Sequence, residues 1–221
     1  MKKLLNLYAG VGGNRKGIPA GFAVTALEYD PKIAAVYKKL YPEDEVIVGD
    51  AHQYLLDNYK KYEFCWASPP CPSHSKMNQS GRNRTPRYPD MGLYQEIIFL
   101  KHNFKGLWAV ENVVPYYTPL IEPSVRLGRH LFWSNFHISQ APMPKFKGFI
   151  KKQNLEAKKE LHEWLGIYFD EVLYVGKNHC PTQVLRNCVH PDTAKHIMGC
   201  ALAEPKNNQL EMLQYEAAEE A

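Results

Sequence analysis

The sequence predicts an α/β domain built on a doubly wound parallel sheet. Three observations predict it. Apolar runs alternate with stretches at helical spacing, in the order strand, helix, strand, helix, from Leu4 to Val110. The strand-like runs close on Gly, Asp, Glu or Pro, the punctuation of strand ends that face a ligand crevice. The chain has 221 residues and is 45% apolar, which is enough for one domain with a real core.

Leu4 to Ala9 reads as the first strand and passes into Gly10-Val11-Gly12-Gly13. Glycines directly after a strand let the backbone come close to a ligand. No Gly-Lys-Ser/Thr follows, so the phosphate P-loop is not matched. Ala23 to Glu28 is the second strand. Asp30 can cap the next helix, Pro31 suits its first turn, and Ile33, Val36, Tyr37, Leu40 and Tyr41 recur on one face. Glu28 closes its strand 15 residues after Gly13. An acid there can accept both hydrogen bonds of a ribose diol, or simply face solvent. Glu45 to Gly49 is the third strand and Ala51 to Tyr59 a helix; Asp50 between them can cap the helix, accept from an adenine amino group, or do both.

Glu63 to Ala67 is the fourth strand and stops at Pro69-Pro70, with Cys71 next. Paired prolines fix φ and remove two donors, so neither a helix nor a central strand continues through them. Cys71 is thereby held at the carboxyl end of a strand, either as an inert small apolar residue or as a positioned nucleophile. Ser73 to Gly92 is rich in Ser, Asn, Arg and Pro and lacks periodicity. A loop this long is usually functional, and Arg82, Arg84 and Arg87 suit a phosphate backbone. Leu93 to Phe104 reads as a helix and Leu107 to Val110 as the fifth strand, ending in Glu111-Asn112-Val113. If strands four and five are neighbours, Glu111 and Cys71 share a cleft. Leu131 to Ile138 is a further strand, Asp192 to Leu202 a helix, and Asn207 to Ala221 an acidic amphipathic helix.

The net charge of +4 permits a nucleic-acid partner without requiring one. The basic residues are uneven: beside the arginine loop stand Lys145, Lys147, Lys151 and Lys152. Cys65, Cys71, Cys180, Cys188 and Cys200 are an odd set with no framework spacing, so free thiols in a reducing, cytoplasmic setting are expected. The opening residues lack the apolar run of a secretion signal, and no stretch approaches membrane-spanning length. His179-Cys180 and Cys188-x-His190 match no common zinc spacing, so no metal is expected.

Five short motifs carry a family resemblance. Tyr8-Ala9-Gly10-Val11-Gly12-Gly13, Glu28, Gly49-Asp50, Pro69-Pro70-Cys71 and Glu111-Asn112-Val113 occur in the order and spacing of the DNA cytosine-5 methyltransferase family. The sequence resembles that family over residues 3–138 and again over 182–203. Arg126-Leu127-Gly128-Arg129 resembles the family's Gln-x-Arg-x-Arg motif, with Arg129 the better match, and Arg186-Asn187-Cys188-Val189 resembles its closing Gly-Asn-Ala/Ser-Val. Tyr8 replaces the usual Phe, and Pro72 the Gln that usually follows the cysteine.

The resemblance implies a Rossmann-like methyltransferase sheet with S-adenosyl-L-methionine as cofactor. The implied cofactor residues are Tyr8, Ala9, Gly10, Gly12, Gly13, Glu28, Tyr29, Asp50, Ala51, Pro69, Asn187 and Val189, with Glu28 on the ribose and Asp50 on the adenine. Cys71 would add to carbon 6 of cytosine, Glu111 would engage N3, and Arg129 would hold O2 and lower the Cys71 pKa. The implied partner is double-stranded DNA with the cytosine flipped out of the stack, contacted by Ser73, Ser75, Arg82, Arg84 and Arg87. Residues 1–138 would form the catalytic core, 139–181 a minimal target-recognition segment, 182–205 the closing motif and 206–221 a C-terminal helix. So small a recognition segment resembles compact phage or prophage enzymes and implies a short or relaxed target sequence. The tRNA-directed branch of the family and a catalytically silent nucleic-acid-binding module are alternative readings of the same motifs.

Overall fold

The computed structural model describes residues 1–76, 88–146, 155–175 and 180–203. Arg82, Arg84, Arg87, Lys147, Lys151, Lys152, His179 and the 206–221 segment lie outside the described residues. Strands β1 (Lys2–Leu7), β2 (Phe22–Glu28), β3 (Glu45–Val48), β4 (Phe64–Ala67) and β5 (Leu107–Val113) run parallel. A hairpin of β6 (Val125–Leu127) and β7 (His130–Ser134) adds to the β5 edge, with β7 antiparallel to β5. The spatial order is β3-β2-β1-β4-β5-β7-β6. Chain direction across the sheet therefore reverses between β1 and β4, and open α/β sheets bind ligands at that switch point.

Helices α1 (Pro31–Leu40), α2 (Ala51–Asn58), α3 (Gly92–Asn103), α4 (Leu155–Leu165), α5 (Gln183–Arg186) and α6 (Pro191–Leu202) complete the fold. The alternation of side chains along each strand decides which helix covers which face. Leu5, Leu7, Leu27, Cys65, Ala67 and Val110 meet α2 and α3 through Leu55, Leu93, Ile97 and Leu100. Leu4, Val24, Phe64, Trp66, Ala109 and Phe132 meet α6 through Ala194, Ile197 and Met198. Ala26 and Ala9 pack on Tyr37 of α1. Both faces are covered, which is why these strands read as nearly continuous apolar runs. Among the described residues no helix is long and apolar enough to cross a membrane.

The helix starts follow the sequence chemistry. Asp30 accepts from the backbone N–H groups of Lys32 and Ile33 with Pro31 in the first turn, Asp50 accepts from Gln53, and His190 caps α6 ahead of Pro191. Some strand ends differ from the sequence reading. β1 stops at Leu7 because Tyr8 turns into the left-handed region at φ 57°. β5 does not stop at Val110: β7 pairs with it as far as Val113, so Glu111 and Asn112 lie inside the strand. β7 ends at Ser134 rather than Ile138, where the Asn135 side chain takes the N–H of Trp108 and gives to the carbonyl of Gly106. The hairpin partner β6 has no expected counterpart, and it turns on Gly128 at φ 59°.

α4 falls within residues 139–181. Its Leu161 and Leu165 are buried with Val11, Ile33, Val36, Val184 and Leu185, so this helix joins α1 to the segment that closes the chain's return. That returning segment presses on the glycine turn. A methyl group built on Gly13 would lie 2.5 Å from Cys188 Cβ and 2.6 Å from the Val189 carbonyl oxygen. We expect Gly13→Ala to destabilise the protein by about 1–3 kcal/mol through overpacking, read as a lower urea midpoint at unchanged m-value. Gly10→Ala, with nothing within 4 Å of the added carbon but φ at 56°, is expected to cost only about 1 kcal/mol.

Candidate active site

Sheet register lines up the candidate residues. Leu7 pairs with Leu27 and with Ala67, and Ala67 pairs with Val110. The next residue on each strand is Tyr8, Glu28, Ser68 and Glu111, so these four form one row along the carboxyl edge. Buried Asn6, just below the turn, exchanges amide hydrogen bonds with Asn14, the closer at 2.7 Å, and so pins both ends of the glycine turn.

The glycines of this turn serve different ends. A side chain on Gly12 would enter the Tyr41 ring at 2.3 Å, and one on Gly13 would enter the returning segment; Gly10 alone of the three faces open space. The Glu28 carboxylate bridges the crevice wall: Oε2 accepts from Gly10 N at 2.9 Å and Oε1 from Asp30 N at 2.9 Å. Burial raises its pKa, and those two backbone donors oppose the rise. Each carboxylate oxygen keeps a lone pair for a further donor. Asp50 and Tyr29 are exposed beside it, Tyr29 at 79%. Ala9 and Ala51 are buried in the core, so their side chains brace the crevice floor.

The Pro-Pro-Cys corner is held from both sides. The Asn112 amide donates to the Pro69 carbonyl at 3.0 Å, and Trp66 Nε1 donates to Ser68 Oγ at 3.1 Å. Backbone N–H groups of His74 and Ser75 both close on the Cys71 carbonyl at 3.0 Å. Ser75 then bridges to Pro115, and buried His74 contacts Tyr117 Oη at 2.5 Å. Ser73 Oγ accepts from Asp90 N at 3.1 Å, joining the two ends of the 73–92 loop.

Cys71, Glu111 and Arg129 interact as one cluster. Burial pushes the Glu111 carboxyl up to about 7, while Arg129 and a hydrogen bond from Ser68 pull the other way. His130 Nε2 stands 3.5 Å from Glu111 Oε1, and burial together with Arg129 holds that imidazole well below its ordinary value, hence neutral. The expectation that Arg129 leaves Cys71 with a lowered pKa is corrected here. Arg129 does favour the thiolate, but burial first and Glu111 second outweigh it, and the thiol is raised. Arg129 is half-buried, and its Nη2 donates to the Arg186 carbonyl at 2.7 Å and more weakly to that of Cys188 at 3.4 Å. The returning segment is thus fastened to the cluster. Asn187 is exposed at the end of α5, whereas the Val189 side chain is buried among Leu4, Ile18 and Val24, leaving its carbonyl against Gly13.

Sequence reasoning missed several polar groups behind this edge. Glu96 of α3 is 1% exposed and accepts from Tyr8 Oη at 2.6 Å. Its spacing with Leu93, Ile97 and Leu100 puts it on the buried helix face, a signal that was legible. His74 and His130 sit in no periodic pattern that marks them.

The residues fit a nucleoside cofactor with a cationic methyl donor. Gly10 leaves open space, Glu28 keeps acceptor capacity beside it, and the buried Oε2 of Glu96 has no hydrogen-bond partner among the described residues. A parallel sheet with this order, a glycine turn after β1 and an acid closing β2 is the fold of S-adenosylmethionine-dependent methyltransferases. Residues 2–114 match the C-5 cytosine-specific DNA methylase family, and the chain belongs to it. Its cofactor is S-adenosyl-L-methionine. Arg129, Asn187 and Val189 lie beyond the matched span.

No curated protein matches the sequence. Among solved structures, the S. pombe Dnmt2 methyltransferase aligns at TM-score 0.55 and 12% identity, covering 94% of this chain and 100% of that one. A prophage-encoded E. coli protein assigned as a DNA modification methyltransferase aligns at TM-score 0.39 and 19% identity over 53% of this chain and 34% of its own. A Spodoptera frugiperda DNMT2 variant aligns at 0.36 and 24% over 51% and 36%. The alignment thus spans about a third of the length of the latter two.

The raised carboxyl of Glu111 has a consequence for stability. Burial holds it at about 7 in the folded protein, against 4.5 for an ordinary exposed glutamate. Between those values the folded state binds more protons than the unfolded state, so this group makes stability fall as pH rises through that window. We expect wild type to lose up to about 3 kcal/mol more than Glu111→Gln between pH 5 and pH 8. Urea denaturation of both proteins at the two pH values measures the difference.

Proposed function

We propose that the protein transfers a methyl group from S-adenosyl-L-methionine to carbon 5 of cytosine in DNA, with Cys71 as the nucleophile. The observation that carries this reading is the cluster of Cys71, Glu111 and Arg129 at the switch point, one register row from the glycine turn. The cofactor supplies an electrophilic methyl group. Glu28 is positioned for its ribose hydroxyls, Asp50 and Tyr29 for its adenine, and the open face of Gly10 for close backbone approach.

Carbon 5 of cytosine is a weak nucleophile. Addition of the Cys71 thiolate at carbon 6 places the pair of electrons that carbon 5 needs, splitting one hard step into two. Negative charge grows on N3 and O2 of the ring as the sulfur adds. Glu111, with a pKa near neutrality, can present its proton to N3. Arg129 is the candidate for O2. Once carbon 5 carries the methyl group, loss of its proton to a base returns electrons to the ring and expels the Cys71 thiolate.

Glu111 and Cys71 are coupled through their charges. A protonated Glu111 no longer repels the thiolate, so the form that donates to N3 is also the form that favours attack. A stacked cytosine cannot reach Cys71, and we infer a flipped base. The Ser73–Gly92 loop, anchored at Ser73 to Asp90, and its arginines are the proposed phosphate contacts. Residues 1–138 are proposed as the catalytic core, 139–181 as recognition and connection, and 182–205 as the closing motif.

We expect Cys71→Ser to abolish methyl transfer while leaving cofactor affinity within about twofold, measured by transfer of labelled methyl and by calorimetry. Duplex DNA carrying 5-fluorocytosine should form a cofactor-dependent covalent adduct with wild type, seen as a gel shift that survives denaturant. Parallel assays on single-stranded DNA and tRNA decide the substrate: transfer to tRNA alone would replace DNA in this reading. No adduct and no transfer on any of them would leave a nucleic-acid-binding module.

A further inference from the structure

The proposed chemistry leaves one buried acid unused. Glu96 projects from α3 into the apolar layer beside Leu93, Ile97 and Leu100, and is 1% exposed. Its Oε1 accepts from Tyr8 Oη at 2.6 Å and faces His52 Nδ1 at 3.2 Å. Gln95 Nε2 lies 2.9 Å from His52 Nε2. No lysine or arginine forms an ion pair with Glu96 among the described residues; His52 is the basic side chain beside it.

The remaining oxygen of Glu96, Oε2, is buried without a hydrogen-bond partner among the described residues. A buried carboxylate with no lysine or arginine beside it is costly, and a positive charge brought near lowers that cost. Burial raises the Glu96 carboxyl, and the hydrogen bonds from Tyr8 and His52 oppose that rise. Asp50 and Asp90 add to the negative field at Tyr8.

Tyr8 links this acid to the cofactor crevice. It stands two residues before Gly10, on the register row that includes Glu28, and its backbone is the sole non-glycine at positive φ among the described residues, at 57°. Strain of this kind persists where surroundings over-determine it, and here the bond to Glu96 and packing of the ring against the core both hold the side chain. A phenol whose proton is engaged by a carboxylate is more electron-rich, and its ring face attracts cations. S-adenosylmethionine carries a positive sulfur; its product, S-adenosylhomocysteine, does not.

We propose that Glu96, acting through Tyr8, makes the cofactor site charge-selective, favouring the sulfonium donor over the neutral thioether left after transfer. The spent cofactor then leaves more readily than a fresh one. Glu96 is a positioning residue in this role. The inference rests on S-adenosylmethionine being the cofactor and does not depend on Cys71 or on the identity of the nucleic acid.

The test is calorimetric titration of the full chain with S-adenosylmethionine and with S-adenosylhomocysteine, without nucleic acid, for wild type, Glu96→Gln and Tyr8→Phe. We expect Glu96→Gln to lower the preference for the sulfonium ligand by about tenfold, mostly by weakening S-adenosylmethionine. Tyr8→Phe keeps the ring and should lower the same ratio by about threefold. If Glu96→Gln does not fold, the Tyr8→Phe ratio decides. Equal weakening of both ligands would mean a structural role only and overturn the proposal, as would an unchanged ratio. If wild type binds neither ligand, the cofactor assignment itself fails, which is a distinguishable result.

Discussion

A half-buried thiol and a buried carboxyl beside one guanidinium are the constraint on which this site depends. Both Cys71 and Glu111 are raised, chiefly by burial, and Arg129 opposes both shifts. Three ionisable groups in a dry cleft cannot be set independently. Two negative charges there would be costly, so a thiolate on Cys71 is compatible only with a protonated Glu111. Arg129 in turn is held by carbonyls of the returning segment. Anything that moves that segment away from Gly13 therefore moves the charge balance at Cys71.

The sheet makes this coupling possible by register. Parallel strands leave their carboxyl ends on one edge, and pairing of Leu7 with Leu27 and Ala67, and of Ala67 with Val110, sets four successive residues side by side. A slip of one residue in β4 would turn Cys65 and Ala67 off the α3 face and carry Ser68 out of the row with Glu111. The order β1-β4-β5 then places the glycine turn and the proline corner as neighbours across the switch point.

Much of this was legible in the residues. Five parallel strands, the caps at Asp30 and Asp50, and the helix after Pro191 follow from periodicity and capping chemistry, because those signals are local. The extension of β5 through Asn112 was not, because it depends on β7, a strand brought back from 17 residues farther along by a hairpin whose partner is three residues long. Pairing at that distance has no local signature. The glycine turn shows the same limit in finer form: the sequence marks a cluster, but only the fold tells that Gly12 makes room for Tyr41 and Gly13 for Cys188. Glu96 was readable as an acid on a buried helix face, and its partner Tyr8 was readable as a departure from the family's Phe. Their meeting at 2.6 Å was not.

The polar residues that shape the crevice share a design. Asn6 holds the glycine turn, Glu28 ties that turn to the start of α1, Asn112 holds the proline corner, and Arg129 holds the returning segment. All of these bonds but that of Asn6 join a side chain to backbone, so each fixes the path of a chain rather than the tip of another side chain. Such bonds in a low-dielectric setting are costly to break and leave a buried group unsatisfied when lost. The crevice walls are therefore held before any ligand enters, and Cys71 is fixed separately through the bonds that His74 and Ser75 make. The glycine turn and the proline corner are thus fastened through different side chains, so a change in one need not disturb the other.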